Sequence, residues 1–414
     1  MDFKFNPNIE KELYDVCIVG AGASGLMVAN VILREKPDCK LLIVDAKDRP
    51  GRKIAASGNG KCNLSNIKSE GWSIASAFFG YLGVLTKSDE EGRIYPYSEY
   101  APDVVEALTS KLESADWLLS CRLTSVKYAK GVFLAAARQD APSTRPKGKG
   151  AKSKHAPKEE KPKNFSIKAR RLVLACGGTA APQLGTRGDG FALAKQLAHA
   201  VREPVPALCG IMTEQNMKKL GLSGVRQKAL VSLTRRSDLL AQEAGEVQFT
   251  DYGLSGICIF NMTRFIDYED VLNGRFSDYS IKLDFLPEFD EKQVESFLER
   301  SQGSLCSVLK PQLAGYIKAI SGETLGLANA LKCTSFDIAG LCDWDKAQVT
   351  RGGVKVSEFD PDTMESKKLK GLYFTGEIVD FDGACGGFNL QHAWDTGMKC
   401  GQDIVAKLWF YDWR

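Results

Sequence analysis

Two short apolar runs near the N-terminus flank a longer one, and their spacing predicts a strand, a helix and a second strand. Residues 16–19 (VCIV) and 41–44 (LLIV) are continuous apolar runs with β-branched members, which is typical of strands buried on both faces. The run LMVANVIL between them follows a glycine-rich turn and predicts a helix. This part of the chain therefore predicts a βαβ unit over residues 14–46.

The turn between the first strand and the helix carries a glycine fingerprint. Gly20, Gly22 and Gly25 form a G-x-G-x-x-G pattern, and Asp45 follows the last glycine by 20 residues. The first glycine permits the tight turn, the second lets a pyrophosphate approach the backbone, and the third lets the helix pack close to the strand. The helix start offers N–H groups to phosphates, and Asp45 can accept hydrogen bonds from a ribose. We expect a dinucleotide here; a glycine turn chosen only for packing is the alternative.

Two later apolar runs predict further strands of the same kind. Residues 171–178 (RLVLACGG) predict a buried strand ending in glycines, which suits a strand whose carboxyl end faces a ligand. A loop and a helix follow from Gly185. The run LYFTGE at 372–377 predicts another short buried strand, before a loop and a helix over about 389–408.

The pattern changes between these parts to that of a smaller unit. Apolar runs at 229–236, 246–260 and 279–286 predict strands, with turns at Gly245 and Gly253. Residues 290–320 predict helical structure, with Asp290 as its N-cap. We therefore predict an α/β fold, in which residues 1–195 and 346–414 form a two-part Rossmann-like domain and residues 196–345 form an inserted substrate domain.

The positive net charge of the chain resides in one segment. The chain carries +4, whereas residues 138–163 alone hold nine Lys/Arg and three Asp/Glu, so the remainder sums to about −2. The segment is rich in Lys, Pro, Gly and Ser and cannot bury enough apolar surface to fold, so we predict disorder. It is expected to be a solvated insertion at the tip of a hairpin; an arm for RNA or another polyanion is the alternative.

Composition is that of an ordinary soluble globular protein, and the cysteine pattern favours the cytoplasm. Hydrophobic residues make up 44% and charged residues 26%. The N-terminus is too polar for a signal peptide, and no apolar run reaches the length of a membrane span. The twelve cysteines are scattered without a C-x-x-C or metal spacing, which favours free thiols in a reducing compartment and predicts no metal site.

The C-terminal glycine loop predicts a second ligand-binding helix start. Gly386 and Gly387 precede the last helix, whose N–H groups and positive dipole end suit a group that becomes negative. An isoalloxazine acquires such charge on reduction, with the backbone of Asn389 and Leu390 as the expected donors. Glu377 is expected at the ribityl chain or a phosphate. The alternative is that both glycines serve packing alone.

Several motifs together resemble a known family. GAGASGLMVA, GRKIAASGNGKCNLSN, GRIYP, TRGGV and TGEIVDFDGACGGFNLQHA, in this order, resemble the bacterial NAD(P)/FAD-dependent flavoproteins of largely unassigned function, relatives of the fumarate reductase flavoprotein fold. The resemblance covers nearly the whole chain. It implies FAD held by the two-part Rossmann-like domain, with an inserted β-barrel plus helical domain. Members are linked to reduction of steroid or bile-acid enones and to oxidation of small amines. The long basic insert departs from most relatives.

The resemblance and the fingerprint together imply a set of cofactor contacts. These are Gly20, Gly22, Ala23, Ser24, Gly25, Asp45, Ala46, Gly51, Arg52, Lys53, Ser57, Gly58, Asn59, Gly60, Asn63, Val126, Cys176, Gly177, Gly178, Gly376, Glu377, Asp382, Gly387, Phe388, Asn389 and Leu390. Arg52 and Lys53 are expected to face the pyrophosphate, or else to form a solvated rim. Cys62 lacks a redox partner five residues earlier, where Ser57 stands, so a flavin-disulfide mechanism is disfavoured.

The residues for catalysis are less well indicated. Tyr95, Tyr252 or a water near Arg351 is expected to donate a proton, and Arg93 or Arg351 to hold an anionic substrate. Among the histidines, we expect His392 to be a structural or cofactor contact and His199 to lie at the surface. Only one complete dinucleotide fingerprint is present, so we expect any NAD(P)H to bind transiently over the flavin.

These expectations lead to an FAD-dependent oxidoreductase that uses NAD(P)H to reduce an activated C=C bond in a small or steroid-like molecule. A flavin amine oxidase that produces hydrogen peroxide is one alternative. An RNA-associated flavoprotein that uses the basic insert is another.

Overall fold

The structure is a computed structural model that describes residues 3–139, 162–322 and 326–411. The chain divides into a first unit, residues 1–178, 183–202 and 352–414, and a barrel unit, residues 179–182 and 203–351. Most of the insert predicted to be disordered, residues 140–161, lies outside the described residues. The domain ranges expected from the sequence stay a prediction, because compactness alone does not assign a role to either unit.

The first unit contains ten strands and six α-helices within its described residues. The strands are β1 (Leu13–Val19), β2 (Leu41–Val44), β3 (Ser65–Asn66), β4 (Thr86–Ser88), β5 (Arg93–Pro96), β6 (Asp116–Leu118), β7 (Cys121–Ala129), β8 (Val132–Gln139), β9 (Lys163–Leu174) and β18 (Leu372–Phe374). The helices are α1 (Ala23–Glu35), α2 (Arg52–Ala56), α3 (Trp72–Tyr81), α4 (Ala101–Ser110), α5 (Asp189–Gln196) and α11 (Phe388–Tyr411).

The barrel unit contains six strands and five α-helices within its described residues. The strands are β11 (Ile211–Thr213), β12 (Arg226–Arg235), β13 (Asp238–Thr250), β14 (Gly253–Ser255), β15 (Tyr279–Asp284) and β16 (Thr334–Leu341). The helices are α6 (Ile257–Met262), α7 (Tyr268–Leu272), α8 (Glu291–Arg300), α9 (Pro311–Ile320) and α10 (Leu327–Lys332). Two more strands, β10 (Val201–Ala207) and β17 (Val349–Val354), run across the boundaries between the units.

A seven-stranded sheet organises the first unit. Its order is β6-β2-β1-β9-β8-β7, with β18 also paired to β9. The strands β6, β2, β1, β9 and β18 run parallel, whereas β9, β8 and β7 form an antiparallel meander. The predicted βαβ unit is confirmed, and its strands are buried, which explains their continuous apolar sequence. The carboxyl ends of β1, β2, β9 and β18 meet at one edge, where ligands bind in sheets of this kind.

The basic insert joins two paired strand ends. Gln139, the last residue of β8, is paired with Lys163, the first residue of β9. The segment therefore leaves and re-enters the fold at one point, as expected for an insertion at the tip of a hairpin.

The barrel unit confirms the β-barrel and corrects two details. Its strands close in the order β11-β14-β13-β12-β15-β16. Gly245 is not a turn residue: it pairs with Ala229 inside β13, and the β12–β13 turn lies at 236–237. A side chain at Gly245 would begin 2.9 Å from the Cys258 sulfur, so the glycine makes room for α6. Residues 257–260, expected to extend a strand, instead begin α6 after Gly256, whose φ of +115° interrupts the strand.

The helical part of this unit begins as expected. Asp290 caps α8, and its side chain and that of Gln293 form a reciprocal capping box. Of the helices that the structure describes, none is both long and apolar enough to span a membrane.

The packing of α11 against α1 depends on two glycines one helical turn apart. A Cβ at Gly397 would lie 2.8 Å from the Met27 Cβ and from the Ser24 carbonyl oxygen. A Cβ at Gly401 would lie 2.7 Å from the Cβ of Val31. The absence of side chains at these two positions therefore lets the middle of α11 approach α1 closely.

We expect Gly401→Ala to lower the free energy of unfolding by about 1–3 kcal/mol, because the added methyl overpacks the α1–α11 contact. Gly80→Ala is the matched control, since it also adds a methyl to a helix but meets nothing within 4 Å. Urea unfolding followed by tryptophan fluorescence measures both. Equal stability of the two variants would show that the contact is not tight.

A candidate dinucleotide site at the carboxyl edge of the sheet

The first glycine turn is shaped as its sequence predicts. Gly20 has a φ of +112°, and a Cβ there would lie 2.2 Å from the Ala175 carbonyl oxygen. A Cβ at Gly25 would lie 2.0 Å from the Gly20 carbonyl oxygen, whereas Gly22 has nothing within 4 Å of its Cβ position. No side chain caps the start of α1, and its first turn contains no acidic residue. An open backbone at an uncapped helix start fits an anionic phosphate.

Asp45 links the end of β2 to this turn. Its Oδ2 accepts a hydrogen bond from the Ala21 amide (2.6 Å) and its Oδ1 from the Lys47 amide (2.7 Å). Burial raises the pKa of the carboxyl group, and the two amides oppose that shift. Each carboxylate oxygen keeps a further lone pair, so Asp45 can shape the turn and still accept from a ribose.

The second glycine loop has an unusual backbone. Gly58 and Asn59 both lie in the left-handed region, with φ of 56° and 55°. A Cβ at Gly58 would lie 2.8 Å from the Asn63 amide nitrogen and 3.4 Å from the Tyr95 ring. The loop therefore passes close to Tyr95, one of the three expected proton donors, with no room for a side chain at position 58.

Four side-chain contacts, which we call the loop–helix clamp, fasten residues 63–66 to the start of α11. With its side-chain nitrogen assigned to the side that faces the carbonyls of Ser65 (2.8 Å) and Ile94 (3.3 Å), Asn63 donates to both and accepts from the Gly387 amide (3.1 Å). The other three contacts join Trp394 Nε1 to the Leu64 carbonyl (2.9 Å), Ser65 Oγ to Gln391 Oε1 (2.6 Å) and Asn66 Nδ2 to the Gly386 carbonyl (3.2 Å). The clamp holds the two predicted flavin loops together.

The start of α11 is therefore only partly available to a ligand. The Gly387 amide is taken by Asn63, and a Cβ at Gly387 would lie 2.3 Å from the Ser65 carbonyl oxygen. Asn389 closes the preceding loop, because its side chain accepts from the Gly383 amide (2.9 Å) and donates to the Gly383 carbonyl (3.0 Å). Gly387 thus packs closely against residues 63–65, and the ligand contacts expected at Gly387, Phe388, Asn389 and Leu390 stay a prediction.

Lys53 and Glu377 form an ion pair that sequence reasoning did not anticipate. The Lys53 Nζ lies 2.6 Å from the Glu377 Oε2, and both side chains are partly buried. Each was expected to contact the cofactor separately. Arg52 instead lies at the exposed surface, 3.6 Å from Asp48, which matches the alternative of a solvated rim.

The predicted catalytic residues lie in different units. Arg93 is close to the clamp, since its Cγ lies 4.0 Å from the Cβ position of Gly386. Its guanidinium is paired with Asp89 and Glu91, each at 2.7 Å. Arg351 belongs to the barrel unit, where it donates to the Ile266 carbonyl (2.8 Å) and lies over the Tyr268 ring.

Burial shifts the pKa values of several groups at this edge. It raises the pKa of Tyr95. It raises the pKa values of Cys62 and Cys176 to about 12, so both thiols stay protonated at neutral pH. Within the described residues, no cluster of three or more His, Cys, Asp or Glu side chains could hold a metal ion.

Of the two expectations about histidine environments, that for His392 agrees with the structure and that for His199 is wrong. His392 is partly buried and stacks on Phe381 with ring centroids 3.9 Å apart, and its buried Nε2 has no hydrogen-bond partner among the described residues. His199, expected at the surface, is only 3% exposed. Its Nε2 lies 2.6 Å from the Ser366 hydroxyl, and its ring packs on Phe374, because the chain turns inward after α5.

The remaining predicted contacts lie in these loops and in the strands and helices of the first unit. The Ser24 hydroxyl donates to the Thr375 carbonyl (3.2 Å), and a Cβ at Gly376 would lie 2.5 Å from that hydroxyl. The Val126 amide donates to the side chain of Gln196 (3.0 Å). The other predicted contacts lie in the loops that follow β1, β2, β9 and β18, or in the helices into which those loops lead. They are Ala23, Ala46, Gly51, Ser57, Gly60, Gly177, Gly178, Asp382 and Leu390.

Comparison with known proteins places this fold and site in a family. Residues 71–403 match the model of the HI0933-like protein Rossmann domain. The chain belongs to the HI0933-like family of Rossmann-domain flavoproteins. This confirms the resemblance seen in the sequence, and it makes the protein a flavoprotein oxidoreductase.

Two similar relatives match this chain over nearly their whole length, and a similar solved structure matches over part of its own. The chain is 33% identical to the 3-dehydro-bile acid delta(4,6)-reductase of Clostridium scindens, over 94% of this chain and 98% of that protein. It is 26% identical to the ribosomal RNA dihydrouridine synthase of Escherichia coli, over 95% and 99%. The solved structure of E. coli quinol fumarate reductase FrdA aligns with 96% of this chain. The alignment covers 70% of the FrdA chain, with 15% identity and a TM-score of 0.49.

We expect Asn63→Ala to lower the free energy of unfolding by about 1–3 kcal/mol, because it leaves the Gly387 amide without the Asn63 acceptor and removes a donor to two carbonyls. Flavin retention should fall in parallel. Asn216→Ala is the control, because Asn216 makes only a local contact to the Lys219 amide at an exposed turn. Urea unfolding and the flavin absorbance per chain check both. Unchanged stability and flavin content would show that Asn63 stabilises neither the fold nor the flavin site.

A pH dependence follows from His392. Burial lowers the pKa of His392 from 6.5 to about 4. The unfolded chain therefore binds a proton more readily, so this contribution to stability is present above pH 6.5 and is lost as the pH falls towards 4. We expect His392→Phe, which keeps a ring against Phe381, to reduce the loss of unfolding free energy between pH 7 and pH 5. An identical loss in both proteins would contradict this assignment.

Proposed function

We propose that the protein is an FAD-dependent reductase that adds two hydrogens across a C=C bond conjugated to a carbonyl group. The observation that carries the proposal is the fit of the carboxyl edge of the first unit to a dinucleotide with a flavin at its far end. The open backbone at Gly22 and the uncapped start of α1 suit the pyrophosphate, and Asp45 suits the ribose. The left-handed loop at 58–60 and the start of α11 suit the flavin ring.

The relatives support the kind of reaction. A 3-dehydro-bile acid delta(4,6)-reductase, by its name, saturates C=C bonds conjugated to a 3-keto group. A dihydrouridine synthase saturates the C5–C6 bond of uracil, which is conjugated to the C4 carbonyl. Both names describe addition of two hydrogens to an electron-poor C=C bond, so that chemistry is what we carry to this chain.

In this proposal FAD supplies the two-electron chemistry when bound, and the protein supplies binding, orientation and the proton. Gly22 and the first turn of α1 would hold the pyrophosphate, and Lys53 would add positive charge that Glu377 partly offsets. The backbone at Asn389 and Leu390 would stabilise negative charge on the ring. The loop–helix clamp fixes the position of residues 63–66 relative to the start of α11.

Tyr95 is the residue we assign to the proton. Its ring lies against the Gly58 loop, and its raised pKa keeps the hydroxyl protonated at neutral pH. The Oη can therefore donate to the carbon next to the carbonyl as the C=C bond is reduced. Arg93 is less suited to bind an anionic substrate than expected, because Asp89 and Glu91 already offset its charge.

Anaerobic mixing tests the reductase. We expect NADH or NADPH to bleach the flavin absorbance, and a conjugated steroid enone to restore it while gaining two mass units. The proposal fails if neither nicotinamide bleaches the flavin. Bleaching by a small amine, with hydrogen peroxide on re-aeration, would favour the amine oxidase alternative instead.

We expect Tyr95→Phe to lower kcat about 100-fold or more, because general acid catalysis contributes about 10²–10⁴-fold. Bleaching by the nicotinamide should be unaffected, since that step needs no proton from Tyr95. Tyr97→Phe is the control, because Tyr97 follows the same strand and is 68% exposed. A similar kcat for both variants would assign the proton to another group.

A second candidate keeps the reaction and changes the substrate to uracil in ribosomal RNA. Two relatives named ribosomal RNA dihydrouridine synthase, 26% and 24% identical, favour it, and the basic segment at 138–163 would supply affinity for RNA. It predicts dihydrouridine in RNA incubated with the protein and NAD(P)H, and RNA binding that weakens steeply with salt. A variant lacking residues 141–160 that binds RNA as tightly as the full chain would exclude a role for the segment.

A further inference from the structure

One cluster of ion pairs in the first unit holds more positive than negative charge. Glu99 Oε2 lies 2.6 Å from the Lys61 Nζ, and Glu99 Oε1 lies 2.6 Å from the Lys87 Nζ. The hydrogen bonds from Lys61 and Lys87 lower the pKa of Glu99 to about 2, so its carboxylate is ionised at neutral pH. Two ammonium groups therefore share one carboxylate, and these three residues, which we call the lysine cluster, carry a net positive charge.

The lysine cluster borders Tyr95, the residue to which we assign the proton. Lys87 on β4 is paired directly with Tyr95 on β5, and residues paired in this way project from the same face with Cβ atoms about 4.5–5.5 Å apart. Lys61 directly follows the second glycine loop, and its amide donates to the Gly58 carbonyl (3.1 Å). Burial raises the pKa of Tyr95, and the positive charges of Arg93 and Lys61 oppose that rise. The cluster therefore lies next to the expected position of the reacting C=C bond.

Arg93, one of the two residues expected to hold an anionic substrate, has the opposite balance of charge. Its guanidinium is paired with both Asp89 and Glu91. An anion drawn to Arg93 would meet two carboxylates. On the small sheet of β3, β5 and β4, the lysine cluster is accordingly the better match for an anionic group.

The two lysines are accessible and have exposed apolar neighbours. The side chains of Lys61 and Lys87 are 53% and 40% exposed. Each ammonium group has three N–H donors, of which Glu99 accepts one. Leu85, which precedes β4, is 76% exposed, and Tyr100, which follows Glu99, is 57% exposed. Positive charge beside exposed apolar side chains suits a carboxylate on an otherwise apolar molecule.

We propose that Lys61 and Lys87 bind a carboxylate of the substrate and thereby make the enzyme selective for enones that carry an acidic group. This inference rests on the proposed function, since it places the C=C bond of the enone at Tyr95. Glu99 orients both ammonium groups, so less side-chain freedom is lost when a carboxylate binds to them. The lysine cluster thus takes the role that the sequence suggested for Arg93.

The experiment is titration of the oxidised, FAD-loaded protein with a steroid enone that carries a side-chain carboxylate, and with its methyl ester. The change in flavin absorbance gives each Kd without turnover. We expect the double variant Lys61→Gln, Lys87→Gln to raise the Kd of the acid about 10-fold, because two exposed charge pairs are lost, and to leave that of the ester unchanged. Lys11→Gln, which removes an exposed lysine before β1, is the control and should change neither Kd. Replacing both cluster lysines with arginine keeps both charges and should retain the affinity for the acid.

Each other outcome overturns the inference in a distinct way. An unchanged Kd of the acid in the double variant, or a wild type that does not bind the acid, would show that the lysines do not hold a carboxylate. An equal rise for the ester would show a distorted site. Weaker binding of NADPH or RNA, with the acid unaffected, would assign the lysines to phosphates. If the double variant does not fold, Lys87→Gln alone is titrated in the same way.

The proposed function is tested separately from this inference. Failure of NADH and NADPH to bleach the flavin would overturn the reductase, whereas the titration with acid and ester requires no electron donor. Selective binding of the acid in a protein that no nicotinamide reduces would therefore keep the carboxylate site and remove the reaction.

Discussion

The docking of residues 63–66 on the first turns of α11 is the constraint on which the site depends. Asn63 accepts from the Gly387 amide and donates to two carbonyls, while Trp394 reaches the Leu64 carbonyl from a fully buried position. A buried amide without a partner costs about 1–3 kcal/mol, so this arrangement tolerates little rearrangement. It places the second glycine loop, Tyr95 and the start of the last helix at one edge. The nucleotide half of the site is built separately, from the turn at Gly20–Gly25 and from Asp45.

The two halves are joined by the same helix pair. α11 packs on α1 through Gly397 and Gly401, which leave no space for a side chain. The Ser24 hydroxyl then binds the Thr375 carbonyl at the end of β18. The helix start expected at the phosphates and the helix start expected at the flavin ring are therefore held at a fixed distance by direct packing, as a rigid dinucleotide site requires.

Sequence alone could predict what local geometry encodes. The glycine fingerprint, the four buried strands and the Asp290 cap follow from residue patterns over short stretches, and the structure confirms them. The family was expected from the resemblance of several motifs, and the comparisons confirm it. Contacts between distant segments could not be read in this way: nothing near Lys53 indicates a partner 324 residues away, and nothing near Val126 indicates Gln196. His199 was misplaced because its burial depends on Ser366, and Gly245 because a glycine in a strand can make room for a neighbouring helix as well as a turn.

The identity of the cofactor tests the central claim most directly. The visible spectrum of the purified protein, together with mass spectrometry of the group released on denaturation, measures it. The account predicts a flavin spectrum and one FAD per chain, because the fingerprint, Asp45 and the last helix form a site for both ends of that molecule. A protein that folds but releases no flavin, or that releases FMN and binds no FAD when it is supplied, would contradict it.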